Sequence, residues 1–212
     1  MRTLIKNSKA FTMIELVFVI VVLGILASLA LPRMERDLRQ EAADNVLSAI
    51  RYTQHLALID NKTDPSDGSW QKKLWKISFT NGSYYTVSSE NDTKNGAVDK
   101  NETAIDPTNG KYMYHLAPNA VQIDESPNVL IGEKYGVSTI AFSGAGCPNK
   151  HIAFDQLGRP HNAITGATND YGTYMTSDCN ITFSFTNNVA RAFNIIIIKE
   201  TGYAYIDGQD NS

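Results

Sequence analysis

The sequence predicts an α+β protein in which one long N-terminal α-helix packs on a β-rich globular head. Three observations predict this fold class: an apolar run from Phe11 to Leu31, a helical periodicity that continues to about Asp60, and strand-like segments across residues 69–212. The chain has 212 residues, of which 42% are hydrophobic and 19% charged. This composition suits one folded domain with an additional element.

The apolar run is long enough to cross a bilayer. As a helix, residues 11–31 would rise about 31 Å, which matches the hydrocarbon core. Arg2, Lys6 and Lys9 precede the run, whereas charges of both signs follow it. The positive-inside rule therefore predicts a single membrane pass with a cytoplasmic N-terminus and an exported head.

Glu15 is the unexpected residue of this run. A carboxylate near the membrane interior costs about 2.5–3.5 kcal/mol on insertion scales, and the run holds no basic partner. The segment is compatible with a simple anchor, or with a signal peptide cut before Leu31. A third interpretation, a cut between Ala10 and Phe11, places Glu15 beside the new α-amino group. Because that amine is a cation that can pair with Glu15 of a neighbouring copy, only this interpretation explains the carboxylate.

At these residues the sequence resembles a known family. KAFTMIELVFVIVVLGILASLALP is similar to the class III signal of type IV pilins and type II secretion pseudopilins. The shared features are a short basic leader, a small residue before an aromatic one, the FT-x-IE core, Gly24 within the helix, and Pro32. The family usually has glycine at the position that Ala10 occupies here.

The resemblance implies a processing route and a domain plan. Residues 1–10 would be a leader that a membrane prepilin peptidase removes after Ala10, and Phe11 would be N-methylated. Residues 11–60 would form the helix, with a transmembrane part at 11–31, and 61–212 the head, outside a bacterial inner membrane. The implied partners are major and minor pilins or pseudopilins, the peptidase/methyltransferase and an inner-membrane assembly platform.

The helical pattern continues beyond the membrane segment. We expect Pro32 to kink or loosen the helix, since it removes one backbone hydrogen bond, and Gly24 is the other candidate for flexibility. Apolar residues then recur at three- and four-residue steps. They are Leu38, Ala42, Val46, Leu47, Ile50 and Leu58, with His55 on the same face. The breaker-rich segment 61–68 should end the helix.

Strand signals fill the head. Asn81-Gly82 between two strand-like runs predicts a hairpin with a two-residue turn. The polar segment 90–111 is expected to be a long surface loop. Further strands are expected at 129–131, 137–142, 151–154, 181–185, 193–198 and 203–206. The continuous apolar run Ile195–Ile198 predicts a strand covered on both faces. HIAFDQLGRPHN, NITFSF and FNIIIIKETGYAYI resemble the GspH/FimT branch of the family.

Cys147 and Cys179 are the two cysteines of the chain. Because export exposes the head to an oxidising compartment, a disulfide between them is plausible. In the chain-entropy model, closing this loop would stabilise the head by roughly 3–4 kcal/mol.

No residue set indicates catalysis, so we expect a protein that is not an enzyme and that needs no cofactor or metal. The four histidines, His55, His115, His151 and His161, form neither an HExxH motif nor a zinc spacing with cysteine. His151, Asp155 and His161 can cluster at a strand end, but solvated strand and turn positions are the favoured interpretation.

The favoured function is that of a minor pseudopilin or pilin, a structural subunit of a type II secretion system or a type IV pilus-like filament. The alternative is a DNA-binding minor pilin for competence, which requires exposed basic residues near the tip of the head. The candidates are Lys134, Lys150, Arg159 and Arg191, with Lys199 beside Glu200. The net charge of −3 makes nucleic acid the less favoured partner.

Overall fold

The computed structural model describes residues 12–80, 82, 84–91, 98–116, 119–147, 149–164 and 172–209. Within these ranges, the side chains of 29–36 and 188 are not described. The predicted leader 1–10 and the predicted cleavage and methylation site at Ala10 and Phe11 lie outside the described residues.

Helix α1 extends from Met13 to Ile59 and is about 70 Å long. The helix is not interrupted at Gly24 or at Pro32. The kink expected at these residues stays a prediction. Thr12 caps its N-terminus, and the backbone N–H of Asp60 closes its last turn on Leu56. Among the residues that the structure describes, no helix combines the length and the apolar character that a membrane crossing requires. The span expected over 11–31 therefore also stays a prediction.

The head consists of two four-stranded antiparallel sheets, which confirms the predicted fold class. The first sheet has the order β2-β1-β4-β5, and the second has the order β3-β6-β7-β8. The strands of the first sheet are β1 (Trp75–Thr80), β2 (Tyr84–Ser88), β4 (His151–Phe154) and β5 (Pro160–His161). Those of the second are β3 (Val137–Ser143), β6 (Cys179–Phe185), β7 (Phe193–Ile197) and β8 (Ala204–Ile206).

The predicted hairpin is confirmed, but its loop is one residue longer than expected. Thr80 pairs with Tyr84, so residues 81–83 connect β1 to β2. Gly82 has a φ of 73°, in the left-handed region that favours glycine. The turn is therefore a three-residue loop rather than a two-residue Asn-Gly turn.

Three other strand and loop predictions were wrong in part. Residues 129–131 are not a strand, because Pro127 starts a 3₁₀ turn that the Ser126 side chain caps, and helix α2 (Ile131–Tyr135) follows. The segment 90–111 is not entirely a surface loop, since Glu90 and the stretch 102–104 are buried. Strand β7 alternates, with Ile195 and Ile197 buried and Ile196 only partly so, because one face of this sheet lies away from the core.

The second half of α1 packs on the head and completes its core. The buried face of the helix contains Ala42, Ala43, Val46, Leu47, Ala49, Ile50, Thr53 and Ala57. His55 and Leu58, which the periodicity placed on this face, are exposed. The helix packs against β1 and β4 of one sheet and β7 and β8 of the other. It therefore holds the two sheets together.

Side chains of α1 also fasten the helix to backbone carbonyls of the head. Gln54 Nε2 donates to Gly158 O at 2.8 Å and to Thr201 O at 2.9 Å. Arg51 donates to Ala204 O at 2.9 Å. Since these bonds reach both sheets, the helix has a defined rotation and height against the head.

Candidate functional site

The first half of α1 is an exposed apolar surface. Every residue from Met13 to Ser28 is exposed, and this stretch includes Met13 at 85%, Ile14 at 79% and Phe18 at 69%. Monomeric soluble proteins rarely expose apolar patches of this extent. The surface must therefore be covered by something other than the head of the same chain.

Glu15 lies in the first turn of this exposed half. Its backbone N–H donates to Thr12 Oγ1 at 3.3 Å, so Thr12 acts as the N-cap. A carboxylate at this position interacts favourably with the positive end of the helix dipole. The structure thus holds Glu15 at the start of α1, with its side chain exposed and available to a partner.

The predicted disulfide is present, between Cys147 after β3 and Cys179 at the start of β6. Both cysteines are buried, and they join the core in which both sheets meet. Since β3 and β6 are neighbours in the second sheet, the bond fastens one end of that strand pair.

Asp155 and His161 come together, but the expected solvated environment was wrong. Both are buried, with His161 Nε2 3.6 Å from Asp155 Oδ2 and His161 Nδ1 2.8 Å from Thr173 Oγ1. Burial opposes ionisation of Asp155, yet the nearby His161 ring and the hydrogen bonds from Arg159 and the backbone of Leu157 outweigh it and lower the pKa of Asp155 to about 2. This cluster fastens the β4–β5 turn, and solvent does not reach it.

His151 is a separate titratable group on β4. Burial and the nearby charge of Lys76 lower its pKa to about 4, from an ordinary value of 6.5. Its Nε2 atom is buried and has no hydrogen-bond partner among the described residues. The folded protein therefore keeps His151 neutral where an unfolded chain would protonate it.

We expect His151 to make the head less stable as pH falls from 6.5 to 4. Between these pH values His151 binds a proton in the unfolded chain but not in the folded one, so the free energy of unfolding decreases as pH falls. Urea denaturation of His151→Gln between pH 7 and 4.5 should show a smaller loss than wild type. The matched control is His55→Gln, at an exposed site on α1; an identical pH dependence in both variants would contradict this assignment.

The basic residues proposed for DNA binding are partly occupied by acidic partners. Arg159 contacts Asp155 through Nη2 at 2.7 Å and Nε at 2.8 Å. Lys134 Nζ lies 3.8 Å from Glu41 and donates to Asn128 at 3.0 Å. Lys150 and Arg191 are exposed, in different connections of the head. These contacts give no support to a basic binding surface.

The described part of the chain contains no group of three or more His, Cys, Asp and Glu side chains that could hold a metal ion. Several of its buried carboxylates are matched instead by protein donors. Asp106, for example, accepts from Ser126, Thr108 and Asn128, and these bonds outweigh the opposing effect of burial, so that the pKa of Asp106 is lowered. Such carboxylates organise loops.

Comparison with known proteins identifies the N-terminal segment. Residues 5–31 match the family model of the prokaryotic N-terminal methylation motif. The chain therefore carries the N-terminal signal of type IV pilins and pseudopilins. Searches of curated proteins and of solved structures found no match.

The motif also indicates the general role of the chain. It supports a pilin- or pseudopilin-type subunit of a pilus or secretion filament, and it points to a structural subunit rather than an enzyme. It implies partnership with other pilins and with the prepilin peptidase, and it is consistent with membrane-anchored pilins. The matched residues include Glu15 and the exposed stretch of α1 from Met13 to Ser28.

Proposed function

We propose that this chain is a minor pilin or pseudopilin, a structural subunit of a type II secretion system or type IV pilus-like filament. Before assembly it resides in a bacterial inner membrane as a single-pass protein, with its N-terminus cytoplasmic and its head periplasmic. The observation that carries the proposal is the methylation motif at residues 5–31, which coincides with the exposed apolar half of α1.

The division of α1 into two halves supports this function. The half from Met13 to Ser28 is exposed along its whole length and makes no contact with the described residues of the head, whereas the half from Ala42 to Ala57 is buried against both sheets. A filament subunit needs both halves: one surface that bundles with neighbouring helices and one that presents a folded head outside the bundle.

Glu15 is the assembly residue in this proposal. After cleavage behind Ala10, the amine of Phe11 becomes a cation close to Glu15. The Phe11 amine of one subunit can then neutralise Glu15 of an adjacent subunit. The desolvation of two charges offsets much of their attraction. The pair therefore contributes mainly to register, since it is satisfied in one arrangement of neighbouring helices only.

We expect the mature protein to begin at a methylated Phe11. Intact-mass analysis of protein extracted from membranes should give the mass of 11–212 plus one methyl group, since peptidase and methyltransferase act on this motif. A chain beginning at Leu31 would lack the apolar half of α1 and would contradict the pilin assignment. As a control, a strain without the prepilin peptidase should accumulate the chain from Met1.

The GspH/FimT-like minor type and the DNA-uptake role are the finer alternatives. The C-terminal strand pair β7–β8 with its Gly202 turn supports the first by resemblance only. DNA binding predicts a salt-dependent electrophoretic shift of the purified protein that Arg191→Ala and Lys150→Ala weaken. A shift that is absent at low salt favours the purely structural role.

A further inference from the structure

Strand β3 lies at the end of the second sheet, and one of its two edges has no neighbouring strand. In the order β3-β6-β7-β8, its strand neighbour is β6. The described residues make no backbone hydrogen bond to residues 139–143 from the side away from β6. Every second residue of an antiparallel strand directs its N–H and C=O groups away from that neighbour. This edge therefore presents unpaired backbone groups.

The exposure of the side chains on β3 agrees with an open edge. Thr139, Ala141 and Ser143 point away from the core and are exposed. Their cross-strand partners on β6 lie on the same face but are half-buried; they are Ser184, Thr182 and Asn180. Strand β6 has a neighbour on each side, whereas β3 has one, so the difference is the one that a free edge produces.

The other three edges of the two sheets are covered or very short. The segment 102–104 pairs with the outer edge of β2, and the segment 173–175 pairs with that of β5. Strand β8 has three residues, and Arg51 of α1 occupies the carbonyl oxygen of Ala204. The edge of β3 is therefore an exception among the sheet edges that the structure describes.

The sequence of β3 does not protect this edge from pairing. Natural sheet proteins usually blunt an open edge with charged side chains, a proline or a bulge. From Val137 to Cys147 the chain contains no charged residue and no proline. The irregularity of β3 lies between Val137 and Thr139, so the stretch 139–143 is regular. Such a stretch suits the addition of a strand from outside the chain.

The strand is also complementary to itself. Two copies of β3 can pair in antiparallel orientation about a two-fold axis at Ala141. Thr139 of one copy then lies opposite Ser143 of the other, on the exposed face. Ile140 lies opposite Phe142, on the face that packs on the core. Hydroxyl pairs and aromatic–β-branched pairs are among the favourable cross-strand contacts, and no like charges meet. This self-complementarity identifies the added strand as that of a second copy.

We propose that β3 is a docking edge through which the heads of two copies of this chain pair, in antiparallel orientation about Ala141. The pairing joins two four-stranded sheets into one sheet of eight strands. It is isologous, because residues 139–143 contribute from both copies. Its area is that of one strand pair, so the association is weak and gains from any assembly that holds two heads close together.

Cysteine crosslinking of the full-length protein, at high concentration in detergent micelles, tests the register. In Ala141→Cys the two thiols face each other across the axis, within the Cα separation of about 4.4–6.8 Å that a disulfide spans. We expect mild oxidation to give a linked dimer. Thr139→Cys alone, or Ser143→Cys alone, places its two thiols about 13 Å apart and should give background only. A mixture of these two variants should restore the crosslink.

The native cysteines do not interfere with this test. Cys147 and Cys179 are buried and already joined to each other. Peptide mapping of the dimer should therefore find the link between the introduced residues.

A charge at the axis provides the second test. Ala141→Lys, added to both members of the mixed pair, places two ammonium groups opposite each other and should lower the crosslink yield by roughly tenfold. Ala141 is exposed, so the head should remain folded. The matched control is Gln122→Lys, at an exposed site outside both sheets, which should leave the yield unchanged.

Two results would overturn the proposal. One is a dimer yield in Ala141→Cys no higher than in Thr139→Cys alone, which would leave the edge to a strand of another protein. The other is an undiminished yield of the mixed pair after Ala141→Lys. Neither result bears on cleavage or methylation at Phe11, so this proposal and the pilin assignment can fail separately.

Discussion

Glu15→Leu should leave cleavage and membrane residence intact but block incorporation into filaments. Leucine removes the cost of placing a carboxylate in lipid, about 2.5–3.5 kcal/mol, so the insertion of the monomer into the membrane should become more favourable. The neighbouring Phe11 amine, however, would have no counter-charge in the bundle. We therefore expect cysteine crosslinking to the major pilin to fall to background, while the amount of processed protein is unchanged.

The matched control for this experiment is Asp37→Leu. Asp37 is an exposed carboxylate on the same helix, beyond the apolar half. Its replacement should leave crosslinking near the wild-type level. Efficient crosslinking of Glu15→Leu would remove the assembly role assigned to this residue, although the membrane role of α1 would stand.

Gly82→Ala should be among the most destabilising single changes in the head. A Cβ atom at this position would lie 2.1 Å from Ser138 O and 2.8 Å from Thr139 N, both backbone atoms of β3. The hairpin of the first sheet therefore touches the second sheet at a point where no side chain fits. Together with the positive φ, this contact should lower the free energy of unfolding by about 4–5 kcal/mol.

Gly110→Ala separates the two causes of that loss. Gly110 has nearly the same φ, 72°, but a Cβ atom there would have nothing within 4 Å. The substitution Gly110→Ala should therefore lower the free energy of unfolding only by the backbone strain, about 1 kcal/mol. Urea denaturation of both variants measures the difference. Equal losses in the free energy of unfolding would show that β3 can move away from the added methyl group without an energetic cost.

The sequence was most informative where the structure is local. Strand β4 has the predicted bounds, 151–154, and β1 and β2 form the predicted hairpin, because two strand-like runs joined by a short glycine-containing turn pair within a few residues of each other. The segment 129–131 was misread, since three apolar residues in a row fit a strand or a helix equally well. There the flanking Pro127 and Gly136 decided the outcome.

The same distinction applies to the residues singled out for function: a local anomaly could be recognised in the sequence, whereas burial by distant residues could not. Glu15 could be singled out from sequence, because a lone carboxylate in an apolar run needs no tertiary information to be anomalous. The buried ion pair between Lys76 and Glu90 was missed: Lys76 lies on a strand and Glu90 begins a polar segment, so nothing local indicates that both are buried. Asp155 and His161 were noted as neighbours, but their burial depends on Thr173 and Tyr174, which are distant in sequence.

Because α1 is continuous, its length determines the orientation of the head relative to the exposed half of the helix. Each residue of an α-helix turns the chain by about 100° and advances it by about 1.5 Å. Since Arg51 and Gln54 fix the rotation of the head on α1, one residue inserted between the two halves would rotate the whole head by about 100° around the axis of the helix. The number of residues between Glu15 and the head is therefore itself a structural parameter: it sets which face of the head points outward.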